Sequence, residues 1–138
     1  MIFSLGAFEA LSQDVGAAAD TSAIKIDPPA NVVAYDHPGD AGGAIMVEWE
    51  LSPQDSPEHA LILGYEIFRA IYPDGEYESI GVASPGNTSY VDANVRDEHE
   101  YIYKVTATSG EGPSAAAISN PATSSPEWIN FGMVNLFI

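Results

Sequence analysis

The chain has no cysteine and very few basic residues. Its 138 residues include four Lys and Arg against 20 Asp and Glu, which gives a formal net charge of −16. The lack of cysteine excludes disulfides, thiolate metal sites and cysteine nucleophiles. The shortage of cations excludes the basic stripe that nucleic-acid phosphates require, and an anionic lipid surface would repel the body of the protein. We therefore expect no nucleic-acid partner.

A long apolar segment is also missing. The most apolar stretch, WINFGMVNLFI at residues 128–138, contains no charge, but it is about half as long as the roughly twenty residues of a membrane-spanning helix. The first residues, MIFSLGAFEAL, place apolar side chains near one helical face and lack a basic start. They therefore do not fit a secretory signal.

Sequence patterns of catalytic sites are absent as well. Neither G-x-S-x-G nor H-E-x-x-H occurs, and His37, His59 and His99 fall in predicted loops beside acidic residues. The acidic segments DHPGD and DEHE could hold a cation weakly, but the EF-hand spacing is missing and turn chemistry explains their composition. We expect no catalytic residues, no metal ion, no cofactor and no small-molecule substrate.

The spacing of turn residues along the chain indicates where its domain begins and ends. Between residues 27 and 123, short runs of alternating apolar and polar residues are separated about every ten residues by Gly, Pro, Asp and Ser. This spacing is typical of an antiparallel sandwich or barrel. We therefore predict an all-β domain over residues 27–123, preceded by an extension and linker over 1–26 and followed by an apolar tail over 124–138.

Three runs have the pattern of strands. Ile45, Val47 and Trp49 share one face of their run, opposite Met46, Glu48 and Glu50, and the run at 101–108 alternates in the same way. The run LILGYEIFRAI at 61–71 is rich in aromatic and β-branched residues, which favours a central strand over a helix. Phe68 then lies on the face opposite the buried one. The predicted core residues are Trp49, Tyr65, Ile67, Tyr101 and Val105.

Seven segments together indicate a family. In order they are PPANVVAYD, IMVEWE, GYEIFR, EYESIGV, GNTSYVD, EYIYKVTAT and GPSAAAIS. Over about residues 28 to 122, this series resembles a fibronectin type III domain of the bacterial style. The resemblance implies a seven-stranded antiparallel, immunoglobulin-like sandwich of two sheets. It also implies that Trp49 is core and that the Tyr101 hydroxyl bonds to the backbone of residues 95–97.

The tail carries a second resemblance. The segment PEWINFGMVNLFI is similar to the start of an apolar helix that follows such domains in some bacterial membrane proteins. Water is an unfavourable environment for its side chains, so we expect the tail to lie at a membrane interface or against another subunit. The predicted contact residues at the two ends and on the sandwich are Ile2, Phe3, Leu5, Phe8, Phe68, Trp128, Ile129, Phe131, Met133, Leu136 and Phe137.

These features favour a binding role over an enzymatic one. The leading hypothesis is a non-catalytic structural or protein–protein interaction module, acting as an extracytoplasmic accessory subunit, periplasmic or on the cell surface. Its partners would be other protein subunits of a membrane complex and the membrane interface. The alternative is an adhesin or carbohydrate-associated accessory domain of a secreted protein. Outer-face aromatics that could serve as anchors are Tyr35, Tyr72, Tyr77 and Phe68.

Overall fold

The computed structural model describes residues 25–126, 128–131 and 134–137, which contain strands and turns and no helix. Within these residues, no helix is long and apolar enough to cross a membrane. The strands are β1 (Ala30–Asp36), β2 (Ile45–Glu50), β3 (Ile62–Ile71), β4 (Glu78–Ala83), β5 (Ser89–Asp92), β6 (Glu100–Ser109), β7 (Gly112–Pro113), β8 (Ala117–Ile118), β9 (Ala122–Thr123), β10 (Trp128–Phe131) and β11 (Val134–Phe137).

Two antiparallel sheets form a sandwich. Sheet I has the order β1-β2-β5, and sheet II has the order β4-β3-β6, with β7, β8 and β9 each pairing with β6. The run at 61–71 is therefore a central strand, because β3 lies between β4 and β6. The all-β sandwich predicted from the sequence is confirmed.

The core is built from alternating residues of both sheets. Ile45, Val47 and Trp49 face inward from β2, and Tyr103 and Val105 face inward from β6. Each of these side chains is at most 4% exposed. This period-two burial follows from the pleat of a strand, which turns successive side chains to opposite faces.

The last strand of the sandwich differs from the expectation. The sequence predicts one continuous strand over GPSAAAIS, whereas the structure has three two-residue pieces, β7 to β9. Ser114 bonds to Ala107 of β6, and Ser119 bonds to Tyr103 of the same strand. Ser119 lies five residues after Ser114, whereas Tyr103 lies only four residues before Ala107. One residue therefore bulges out of the ladder, as in a β-bulge.

Serine side chains replace the missing backbone bonds of this strand. The Ser114 N–H donates to the Ala107 carbonyl at 2.7 Å, and the Ser114 Oγ accepts from the Ala107 N–H at 3.0 Å. Ser119 makes the same pair of bonds with Tyr103, at 2.8 and 3.0 Å. The backbone N–H groups of Tyr103 and Ala107 are thus satisfied where the strand is interrupted.

One edge of the sandwich is joined by an amide. The Asn120 Nδ2 donates to the Ala34 carbonyl at 2.8 Å, and the Asn120 Oδ1 accepts from the Ala34 N–H at 3.0 Å. Asn120 follows β8, which pairs with sheet II, and Ala34 lies in sheet I. The side-chain amide therefore stands in for a peptide group between the two sheets.

The other edge is joined by a phenol. The Tyr90 hydroxyl, from sheet I, donates to the Ile80 carbonyl of β4 at 2.8 Å. Its ring lies over Gly81, where an added Cβ would collide with the ring atoms. Gly81 thus permits an approach that any other residue would block.

The C-terminal strands form a separate two-stranded sheet. β10 pairs only with β11 among the described strands, with Trp128 opposite Phe137 and Phe131 opposite Val134. The resemblance to the start of an apolar helix is therefore wrong for the described part of the tail. Trp, Ile, Phe and Val favour strands, which accounts for the difference.

The first prediction concerns the central tryptophan. Trp49 is 4% exposed, and its ring lies 5.6 Å from the Tyr65 ring, measured between centroids. Trp49→Ala is expected to lower the free energy of unfolding by about 3–5 kcal/mol, because it leaves a large cavity. Chemical denaturation measures the loss. Glu50→Ala, at an exposed position of the same strand, is the control and should change stability by less than about 0.5 kcal/mol.

The second prediction concerns the Asn120 bridge. Asn120→Ala should lower stability by about 0.5–1.5 kcal/mol, the usual net value of a hydrogen bond, since Asn120 itself is exposed. Asn120→Asp should cost at least as much, because a carboxylate cannot donate to the Ala34 carbonyl. Thermal melts of both variants are compared with Asn87→Ala, at an exposed turn. Equal melting temperatures in all three variants would contradict a bridging role.

Candidate functional site

A buried ionic network crosses the sandwich. Asp92, at the end of β5, is 2% exposed. Its carboxylate accepts from the Arg69 Nη1 at 3.1 Å and from the Tyr103 hydroxyl at 2.8 Å. The Arg69 Nη2 donates to Glu78 at 2.8 Å. Sheet I supplies the carboxylate and sheet II supplies both donors, so the network fastens one sheet to the other.

Charge states in this network follow from burial and pairing. Burial, reinforced by the bond to Asp92, raises the pKa of the Tyr103 hydroxyl, which therefore stays protonated. Burial opposes the charge on Arg69, but its bonds to Glu78 and Asp92 outweigh that effect and raise the pKa of the guanidinium. The result is a fixed cation and a neutral phenol, which is a structural arrangement rather than an acid–base pair.

A cavity of about 500 Å³ opens beside the network. Arg69 faces it, but its Nη1 is also bonded to the Asn94 carbonyl at 3.2 Å, so its donors are largely occupied. The Tyr101 hydroxyl accepts from the Arg96 N–H at 3.0 Å, as the family resemblance implies. The cavity walls contain no Ser, Cys or His: they are Arg69, Ala70, Ile71, Gly75, Glu76, Tyr77, Glu78, Asn94, Arg96 and Tyr101.

A second buried phenol ties loops together at the opposite end of β3. The Tyr65 hydroxyl donates to Asp55 at 2.8 Å and accepts from the Ser52 N–H at 3.0 Å. Asp55 also accepts from the Gly86 N–H at 2.8 Å. Burial, together with the bond to Asp55, raises the pKa of Tyr65. The β2–β3 loop and the β4–β5 turn are thereby held to the core.

The histidines do not assemble a catalytic site. The His59 Nδ1 lies 3.0 Å from the Ser56 Oγ, but both residues sit on the surface of the β2–β3 loop, where the Ser56 Oγ also accepts from the His59 N–H. His99 bonds to the Asp97 backbone. In the part of the chain that the structure describes, no three His, Asp or Glu residues are placed to hold a metal ion.

The predicted core residues and the predicted contact residues have different outcomes. Trp49, Tyr65, Ile67, Tyr101 and Val105 are all buried in one cluster. The backbones of the predicted tail residues lie in β10 and β11: Trp128, Ile129, Phe131, Leu136 and Phe137. The remaining predicted end contacts lie outside the described residues: Ile2, Phe3, Leu5, Phe8 and Met133.

Phe68 lies beside a lysine, and its predicted role as a partner contact stays a prediction. It lies on the outer face of sheet II, half-buried, with the Lys104 Nζ 5.1 Å from its ring centroid. The same ammonium group lies 4.6 Å from the Tyr77 ring centroid. A cation over two aromatic faces is a favourable intramolecular contact, so Lys104 covers part of both rings.

Exposed apolar residues on sheet I were missed by the sequence reasoning except for Tyr35. Val33, Tyr35 and Val91 are 42, 39 and 42% exposed, and Met46 lies between Tyr35 and Val91 in the register. We call Val33, Tyr35, Met46 and Val91 the sheet I stripe. Alternation within β1 and β2 could have placed Val33, Tyr35 and Met46 on one face. Val91 could not be added, because no local sequence pattern predicts that β2 pairs with β5.

Comparison with known proteins identifies the architecture. No protein-family model and no curated protein matches the chain. Among solved structures, an Fn3-like protein from Clostridium thermocellum is similar at 19% identity and a TM-score of 0.57, over 78% of this chain and 100% of that one. The twitchin kinase region from C. elegans is similar at 16% identity and 0.58, over 71% and 16%.

A third similar structure is a β-1,2-glucanase from Parabacteroides distasonis, at 22% identity and a TM-score of 0.57, over 77% of this chain and 14% of that one. At such identities the likeness concerns the fold. The two sheets define an immunoglobulin-like sandwich. Within that class, the chain has the fold of a fibronectin type III domain.

The third prediction tests the ionic network. Arg69→Met is expected to destabilise the fold by about 3–5 kcal/mol, because Asp92 is left buried without its cation. The double variant Arg69→Met/Asp92→Asn should recover part of the loss. Arg96→Met is the matched control: Arg96 is exposed, and its replacement should cost less than about 0.5 kcal/mol. Denaturant titration measures all three, and equal losses for both arginines would contradict the assignment.

The fourth prediction is alkaline destabilisation. Tyrosines of the unfolded chain lose their protons near pH 10.0, whereas folded Tyr65 and Tyr103 keep theirs because their pKa values are raised. Above that pH the unfolded state binds fewer protons, so stability falls as pH rises. Melting temperatures measured upward from neutral pH should be flat and then decline. Tyr103→Phe should reduce the decline, whereas Tyr72→Phe, at an exposed position, should retain it.

Proposed function

We propose that the protein is a non-catalytic interaction module that acts as an extracytoplasmic accessory subunit of a membrane-associated complex. The C-terminal hairpin, β10 with β11, is the element that holds it there. The observation that carries this proposal is the hairpin itself. Its eight strand residues contain no charge, and its two strands pair with each other alone among the described strands.

The hairpin is apolar and pairs with no other described strand. A two-stranded hairpin alone is marginally stable in water. Burial of apolar surface is favourable by about 25 cal/mol per Å², so a hairpin rich in Trp, Ile, Phe, Val and Leu gains from a partner subunit or a membrane interface. The whole chain carries a net charge of −16, and the acidic body remains in water and keeps the module soluble.

Support for a non-catalytic role comes from the site. The cavity at Arg69 has its cation bonded to two carboxylates, and the described histidines lie on loops. Fibronectin type III folds are in general structural or interaction modules, and the similar structures place this fold beside kinase and hydrolase regions. A module that binds and positions other proteins agrees with these features.

The second candidate is a carbohydrate-associated accessory or adhesin domain of a secreted protein. The likeness to part of a β-1,2-glucanase favours it. Sugar binding commonly uses exposed aromatic side chains, and the described candidates are Tyr35 and Tyr72, at 39 and 38% exposure. Retention on an insoluble polysaccharide that is lost in Tyr35→Ala or Tyr72→Ala would support this candidate against the first.

The fifth prediction tests the hairpin. A chain that lacks residues 127–138 is expected to lose flotation with native membrane vesicles and co-purification with membrane subunits. The sandwich is expected to stay folded, because β1 to β9 make their own core. Flotation and affinity purification from native membranes measure the loss, and circular dichroism checks folding.

A variant of full length tests whether the apolar side chains of the hairpin, and not merely the presence of the segment, cause membrane retention. Ile129→Asn with Leu136→Asn should reduce membrane retention as the deletion does. Val82→Asn, at a site on β4 that is 69% exposed, is the control and should be retained. Full retention of the truncated chain would refute the hairpin as the anchor.

A further inference from the structure

An apolar row crosses the outer face of sheet I. Tyr35 of β1 pairs with Met46 of β2, and Met46 pairs with Val91 of β5, so the three side chains lie side by side across all three strands. Val33 lies two residues before Tyr35 on the same face. This is the sheet I stripe defined above, and three of its four members are about 40% exposed.

The stripe is held in a defined geometry. The Tyr35 hydroxyl donates to Glu48 at 2.8 Å across the strands, which orients the ring on the sheet surface. The backbone below is regular from Val33 to Asp36, where β1 and β2 stay in register. A rigid aromatic side chain on a regular sheet loses little entropy on binding, which suits an anchor.

The charge around the stripe has one sign. Glu48 and Glu50 lie on its face, and the strands of sheet I contain no Lys or Arg. The whole chain carries −16. A partner surface that covers the stripe must therefore present cations opposite these carboxylates, because like charges brought together oppose association.

We infer that the sheet I stripe is a protein-docking surface whose partner presents an apolar or aromatic centre flanked by Lys or Arg. This inference rests on the proposed function and adds a second contact, on the sandwich, to that of the hairpin. The chain leaves the sandwich beside the stripe. Ser125 bonds to Asp36 at 3.3 Å, next to Tyr35, and β10 begins three residues later. One partner can thus contact both the stripe and the hairpin.

Other occupants fit less well. Two copies packed face to face through the stripe would bring the Glu48 and Glu50 carboxylates of both copies together, which disfavours a dimer. An anionic lipid surface is repelled for the same reason. The outer face of sheet II has exposed apolar residues, Val82 and Ile118, but polar residues interrupt them in the register: Val82 lies opposite Glu66, and Ile118 lies opposite Lys104.

The test uses the full chain in its native membranes with a photoreactive amino acid at single positions. p-Benzoylphenylalanine replaces Tyr35, Val91, Val82 or Ile129 in turn, and adducts are identified by mass spectrometry. Positions 35 and 91 are expected to link to the same protein, at a peptide adjacent to Lys or Arg. Position 82 lies on β4 of sheet II and is the control, where no such adduct is expected.

A charge-reversal pair tests the chemistry of the partner. Glu48→Lys with Glu50→Lys is expected to reduce the adducts at 35 and 91 by roughly tenfold, since favourable charge contacts become repulsive. Glu58→Lys with Glu111→Lys changes the net charge equally at exposed positions on other loops and should leave the adducts unchanged. Circular dichroism verifies that each variant is folded. Equal effects of the two pairs would overturn the inference.

The pattern of adducts separates this inference from the proposed function. Adducts at 129 without adducts at 35 and 91 overturn the stripe and leave the hairpin proposal standing. Adducts at 35 and 91 without any at 129 support the stripe and refute the hairpin anchor. A product of twice 14.6 kDa that contains only this chain overturns the inference in favour of a second copy. Adducts with lipid alone, or none at any position, overturn it as well.

Discussion

Polar bonds that run between the two sheets are the constraint on which this sandwich depends. Apolar burial supplies most of the stability, but it is non-directional and would allow the sheets to slide. The Asp92 carboxylate with Arg69 and Tyr103 fixes one point inside, and Asn120 and Tyr90 fix the two edges. Each bond needs one alignment of the sheets, so together they select a single packing.

The same constraint explains why the described chemistry of the protein is structural. Its buried ionisable groups are already paired: Arg69 with two carboxylates, and Tyr103 with Asp92. A group that such partners hold in one charge state makes the structure more rigid, but it does not readily take up or release a proton. What remains available is the surface, where apolar side chains such as Tyr35 lie beside carboxylates such as Glu48.

Sequence reasoning reached the parts of the fold that local pattern encodes. β2 and β6 alternate cleanly, so their inward residues, including Trp49 and Val105, could be named in advance. The break in the last strand could not be predicted, because it depends on the bonds that Ser114 and Ser119 make to β6 and not on the pattern of their own segment. The buried position of the Arg69 side chain and the sheet I stripe likewise depend on residues of neighbouring strands, which the local sequence does not reveal. The helix expected for the tail rests on a resemblance and not on its residues, whose own preference is for strands.

The chain enters the sandwich and leaves it at opposite ends of β2. Asp27 is tied to Ser52 and Gln54, just beyond the end of β2, whereas Ser124 and Ser125 are tied to Asp97 and Asp36 near its beginning. Tension applied between Asp27 and Ser125 would therefore run along the strands and load their hydrogen bonds in shear, many at once. Because bonds loaded in shear must break together, the described sandwich would resist extension between these two attachment points.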